Sequence, residues 1–156
     1  MVKEIELASP FKVATCSVLE MILGEMPEFG EPGPFNSDST CSDITVTCSV
    51  IGSASGSVFY TMSEWTALRI AESMVGIPCE EMDELAASAI AELSNMISGN
   101  GLLGLSEMGL IGDLAPPTLV RGSNIHITTF SIPGITIPFH TCHGDFWTTV
   151  ALRKIK

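Results

Sequence analysis

An α/β (α+β) fold, an antiparallel or mixed sheet with helices packed on one face, is the class the chain predicts. Three observations predict it. Two stretches carry helical apolar spacing, at 10–22 and 82–100. Two others read as β-hairpins, alternating strands around turn chemistry at 43–62 and 135–152. Each half of the chain thus offers a helix followed later by a hairpin, a weak sign of pseudo-duplicated halves.

Ser9 and Pro10 look like a helix start, with Ser as cap and Pro in the first turn. Phe11, Ala14, Val18, Met21 and Ile22 then form an apolar stripe that runs out at Gly24. Residues 25–42 hold Pro27, Pro32 and Pro34 among glycines and acids, and read as a mobile loop. Asp43 to Ile51 and Ser57 to Met62 form the first hairpin around Gly52–Gly56. Ser63 caps a helix from Glu64 to Val75 that Gly76 ends, with Trp65, Leu68, Ile70 and Met74 apolar. Trp65 and Trp147 are expected in the core.

The helix at 82–100 has two faces. Leu85, Ala89, Ile90, Leu93 and Ile97, with Ala86, make the apolar one. Glu81, Glu84, Ser88, Glu92, Asn95 and Gly99 follow the same spacing on another side. Acids at 80, 81, 83 and 84 suit its N-terminus, and Gly99 and Gly101 are expected to stop it. Leu102 to Met108 is then a short further helix. Pro116–Pro117 forces extended chain into a strand at Thr118–Val120. Arg121–Asn124 turns, and Ile125 to Ile132 alternates like another strand. Ile135 to His140 and Phe146 to Leu152 close the chain as the second hairpin, around Thr141–Asp145.

With 156 residues the chain reads as a single domain, 1–156, and its 46% hydrophobic content is globular. Seven Lys+Arg against 18 Asp+Glu leave a net charge of −11. Such a chain is repelled by nucleic acid and by anionic lipid, so those roles are disfavoured, and it suits a protein partner with basic groups around its site. Neither a secretory signal nor a bilayer-spanning run is visible, so the cytoplasm is the expected compartment. The five cysteines, at 16, 41, 48, 79 and 142, form no C-x-x-C pair, which speaks against a disulfide framework or a zinc site. His140, Cys142, His143 and His126 are metal-ligand types, but their spacing fits a hairpin turn better than a four-ligand set, and no metal site is expected.

Asn95 is the unusual residue, because Asn is a mediocre helix former that favours caps and turns. It stands one turn after Glu92, so both head groups can address one partner. Most polar helix stripes are simply solvated. The pattern Ser88-x-x-x-Glu92-x-x-Asn95, followed by Pro117 at 117 − 95 = 22 positions, resembles the signature of the CheC/CheX/FliY phosphatases of bacterial chemotaxis. Pro10–Phe11, Ala14 and Val18–Met21 are similar to the opening helix of that family, and Ile137–Phe139 with Gly144 and Phe146 to its closing hairpin. CheC-type members carry the motif twice. Here the first helix offers only Glu20-x-x-Leu23, so the single motif resembles the CheX branch and implies a CheX-like fold and a homodimer.

The resemblance implies hydrolysis of the aspartyl phosphate of a CheY-type response regulator. Asn95 would position the attacking water, Glu92 would pair with a regulator Lys, and Ser88, Gly99 and Asn100 would line the contact. Mg²⁺ is expected in the regulator and no cofactor in this chain. A non-catalytic module that binds a response regulator or the flagellar switch is the alternative.

Overall fold

The computed structural model describes residues 2–35, 40–130 and 132–155. Helix α1 spans Val2–Leu23 and is followed by two short strands, β1 (Glu28–Phe29) and β2 (Gly33–Pro34), and by β3 (Thr40–Cys41). The first hairpin is β4 (Ile44–Gly52) and β5 (Ala54–Met62), and α2 (Glu64–Val75) and α3 (Glu84–Glu107) come next. Strands β6 (Gly112–Leu114), β7 (Thr118–Arg121) and β8 (Ile125–His126) lead to the closing hairpin of β9 (Ile135–Thr141) and β10 (Gly144–Lys154).

The main sheet is antiparallel, in the order β1-β9-β10-β5-β4-β6, with β2 beside β9 and β7 beside β4. Its centre is the pairing of β10 with β5, from Phe146 opposite Met62 to Lys154 opposite Ala54, so the two hairpins meet edge to edge. Val46, Val58, Tyr60, Ile137, Phe139, Phe146 and Val150 face the helices and form one core with Phe11, Leu19, Ile90, Leu93 and Ile97. Alternation sends Thr45, Phe59 and Thr149 to the other face, where Phe35 packs edge-on to Phe59 at 5.1 Å between ring centroids.

Several expectations change. Helix α1 begins at Val2, not at Ser9–Pro10, and Pro10 lies inside it. The residue that costs the helix a hydrogen bond is used for packing: its ring lies against Gly104 of α3. Helix α3 likewise runs through Gly99, Gly101 and Gly104 to Glu107, so Leu102–Met108 is not a separate helix. A Cβ on Gly101 would stand 2.3 Å from the Phe11 ring, and one on Gly104 2.6 Å from Pro10. These glycines are therefore where α1 and α3 touch, and that packing outweighs their low helix propensity.

The loop at 25–42 contributes β1 and β2, which extend the sheet beyond β9, and β3, which pairs with β8; residues 36–39 lie outside the described ones. Of the strand expected over 125–132, Ile125–His126 is the part paired among the described residues, with β3; residue 131 lies outside them. Met21 is exposed, Trp65 is 63% exposed and Leu85 46%, while Trp147 is half-buried rather than in the core. Arg69 stacks over Trp65 at 4.5 Å, which gives that ring a partner outside the core. Ser63 does cap α2, its Oγ accepting from the Thr66 N–H at 3.1 Å, and Gly76 ends it with φ +77°.

Candidate functional site

Helix α3 is fixed along its length by polar and close-packed contacts. At its start Asp83 is the cap, its carboxylate accepting from the Ala86 N–H at 2.9 Å. Just upstream, Arg69 and Glu72 of α2 hold the α2–α3 connection through the Cys79 backbone. Arg69 donates to the Cys79 carbonyl at 2.7 Å, Glu72 accepts from the Cys79 N–H at 2.9 Å, and the two side chains pair at 3.1 Å. In the middle, Ser94 and Ser98 are fully buried. Ser94 donates to the Ile90 carbonyl at 3.0 Å, and Ser98 shares a 2.7 Å hydrogen bond with the Tyr60 hydroxyl on β5. Burial pushes the Tyr60 phenol far above its ordinary range, so it stays neutral and keeps that bond. Further on, Gly101 and Gly104 sit against α1, which is itself tied to the sheet by Thr15 and Thr148 hydroxyls 3.0 Å apart.

With Leu93, Ser94, Ile97 and Ser98 buried, a rotation of about 100° per residue leaves one stripe outward. Ser88, Glu92 and Asn100 are exposed, and Asn95 and Gly99 are half-buried. Glu92 and Asn95 stand one turn apart, and neither side chain has a hydrogen-bond or ion-pair partner among the described residues. They are not turned into the core. Upstream, Glu80, Glu81, Asp83 and Glu84 are all exposed, so one end of the stripe is strongly acidic. Pro117 immediately precedes β7.

The histidine and cysteine constellation does not assemble. His140 pairs with Asp145 at 2.6 Å, His126 belongs to the small β3–β8 sheet, and among the described residues no three ligand side chains converge. Cys16, Cys48, Cys79 and Cys142 are free, with burial raising the thiol pKa of Cys16 and Cys48. No helix among the described residues is long and apolar enough to cross a membrane.

Sequence reasoning missed the reach of this face. Apolar spacing puts Leu85 on the core side, and the glycines put Leu103 on a separate helix. Both continue the exposed stripe, whose series 85, 88, 92, 95, 99, 103 runs in three- and four-residue steps.

A two-layer α/β protein whose exposed polar stripe lies on the flank of a packed helix, rather than in a cleft, is the class that this fold defines. A family model described as chemotaxis phosphatase CheX matches residues 44–140. The CheY-P phosphatase CheX of Thermotoga maritima is 33% identical over 112 residues, which is 71% of this chain and 72% of that protein. Among solved structures, the chemotaxis protein CheX of Desulfovibrio desulfuricans superposes with a TM-score of 0.86 at 31% identity, covering 95% of this chain and 99% of that one. A chain of the CheX–CheY–BeF3–Mg²⁺ complex from Borrelia burgdorferi does so with a TM-score of 0.80 at 27% identity, covering 94% and 97%. The chain belongs to the CheX family of chemotaxis phosphatases.

Proposed function

We propose that the protein hydrolyses the aspartyl phosphate of a CheY-type response regulator, ending the chemotaxis signal, with Glu92 and Asn95 as the residues that act. One observation carries the assignment of residues: a carboxylate and an amide, unpartnered within the described chain, project side by side from a helix locked on its other flank. The family and the curated relative support the reaction.

An aspartyl phosphate is an acyl phosphate and already labile, so the second protein need not supply a nucleophile. It needs to hold a water in line with phosphorus. The water oxygen bonds to phosphorus, the bond to the aspartyl oxygen breaks, and the regulator's carboxylate is restored as phosphate departs. The Asn95 amide can both accept from and donate to that water without titrating. It is too weak a base to remove the proton, so its role is positioning.

Glu92, one turn away, pairs with a regulator lysine and sets how deeply Asn95 enters. An exposed pair of this kind contributes only about 0.2–1 kcal/mol, so its value is register more than affinity. Ser88, Gly99 and Asn100 line the contact. Mg²⁺ belongs to the regulator, and this chain binds no cofactor. The protein acts in the cytoplasm, as one domain over 1–156 and as a homodimer.

The test is phosphate release from phosphorylated CheY. Acceleration by the unaltered protein, with Asn95→Ala losing about 100-fold or more while still binding the regulator, is the expected result. Glu92→Gln should raise KM a few-fold and flatten its salt dependence. Binding without any acceleration would instead assign the protein as a non-catalytic docking module.

A further inference from the structure

Beyond Asn95 the exposed stripe of α3 changes character. Leu103, two turns on, is 65% exposed, and Val13 on α1 is 62% exposed. With Pro10, Asn100, Glu107 and Met108 they line a groove between α1 and the C-terminal half of α3. Its floor is the close approach of Gly104 to Pro10.

We propose that this groove is the apolar half of the docking surface for the response regulator, seating an apolar side chain of the regulator flanked by a basic one. The inference rests on the reading that Glu92 and Asn95 face that partner.

Size is the first argument. Even a small transient interface covers about 600 Å² on each side, a patch roughly 28 Å across. Leu103 lies only about 12 Å along the helix axis from Asn95. A partner seated on Asn95 therefore reaches the groove unless it is placed wholly toward the other end.

Composition is the second. Toward the N-terminus of α3 the footprint meets Glu80, Glu81, Asp83 and Glu84, whose exposed charges steer encounter and contribute little to lifetime. Desolvated apolar contact is what holds a complex together: toward the N-terminus the stripe offers Leu85 alone among those acids, whereas beyond Asn95 Leu103 and Met108 join Val13 of the neighbouring α1. Asn100 belongs to both the groove and the proposed contact set, so the surface is continuous. Exposed Glu6 and Glu107 on its rim favour a cation beside the apolar anchor.

The experiment measures binding of CheY loaded with BeF3⁻ and Mg²⁺, and phosphate release from phosphorylated CheY, for the unaltered protein and for Val13→Asp/Leu103→Asp. Both positions are exposed, so the fold should be kept, which thermal unfolding checks. Ile51→Asp, on the far face of the sheet, controls for an added exposed charge. The groove predicts Kd and KM raised about tenfold in the double variant, with the loss in KM rather than kcat, and no change for Ile51→Asp.

An unchanged Kd overturns the groove and leaves the assignment of Asn95 standing. A double variant that loses self-association while binding CheY normally shows that a second copy of this chain occupies the groove, and overturns it too. Failure of the unaltered protein both to bind and to hydrolyse would overturn the proposed function itself, and the groove with it.

Discussion

Gly99 and Gly101 are two residues apart on α3, and the same substitution should act on them with opposite sign. A Cβ at Gly99 meets nothing within 4 Å. Gly99→Ala then gains only helix propensity, about 0.5–1 kcal/mol. A Cβ at Gly101 would stand 2.3, 2.4 and 2.9 Å from three ring atoms of Phe11, which is fully buried and has no room to yield. Overpacking of that kind costs about 1–3 kcal/mol. With the whole edge of the ring engaged we take about 2–3, and the propensity gain offsets at most about 1 of it. Gly101→Ala should therefore be less stable by about 1–2 kcal/mol, lowering Tm by about 2–8 °C at the usual 2–4 °C per kcal/mol, while Gly99→Ala should melt about 1–4 °C higher. Thermal unfolding followed by far-ultraviolet circular dichroism reads both. Because Gly99 lies on the proposed contact face, the stabilised variant should also bind the regulator a few-fold more weakly, so stability and activity move apart. A Gly101→Ala protein as stable as the parent would refute the idea that this glycine exists for the α1–α3 contact.

Two further predictions concern the polar ties of α3 and its cap. Tyr60 is the single tyrosine, and burial raises its folded-state pKa well above the ordinary value near 10. Its contribution is fully present below pH 10 and is lost above it, at about 1.4 kcal/mol per pH unit, as the unfolded chain ionises and the folded one does not. Tyrosinate absorbance should thus appear only with unfolding in an alkaline titration; a reversible rise in the folded protein would contradict the buried Tyr60–Ser98 bond. Asp83→Ala removes the α3 cap and should cost about 1 kcal/mol by urea unfolding, with no change in m-value.

Much of the fold could be read because its signals are local. Ser63 and Gly76 bracket α2 with side-chain and backbone geometry that residues within one turn decide. Strands β4, β5, β9 and β10 show as runs rich in Val, Ile, Thr and aromatic residues bounded by turn residues, although only β9 alternates cleanly in burial and the second half of β5 and the centre of β10 are buried on both faces. What failed depends on distant partners. Pro10 looks like a helix start, and Gly99 and Gly101 like a helix stop, until α1 and α3 are laid against each other and Pro10 and Gly101 become the contact. Two-residue strands such as β1 and β2 have no periodicity to detect; β9 creates them by offering an edge. Met21, Trp65 and Leu85 are apolar residues at helical spacing on the wrong side of their helices, and period alone cannot tell a core stripe from a docking stripe. That Glu92 and Asn95 face outward was legible from helical spacing, but spacing alone fits a solvated face equally well, and what singles them out is the resemblance of Ser88-x-x-x-Glu92-x-x-Asn95 to the family signature.

The placement of that amide is a question of rotation as much as of depth. Turning α3 by one residue, about 100°, would carry its outward stripe toward the sheet and bring buried side chains out. The register is held by groups that cannot exchange places. Leu93 and Ile97 fill the core, Ser98 fits only because its hydroxyl meets that of Tyr60 on β5, and Gly101 fits only against Phe11. An apolar helix face by itself tolerates some rotation, since apolar contact has no direction. A buried hydroxyl pair does, because losing its partner leaves a desolvated polar atom at about 1–3 kcal/mol. The small polar residues inside the helix thus serve the polar residues outside it: they hold the rod at the one angle that keeps Glu92 and Asn95 on its outward face.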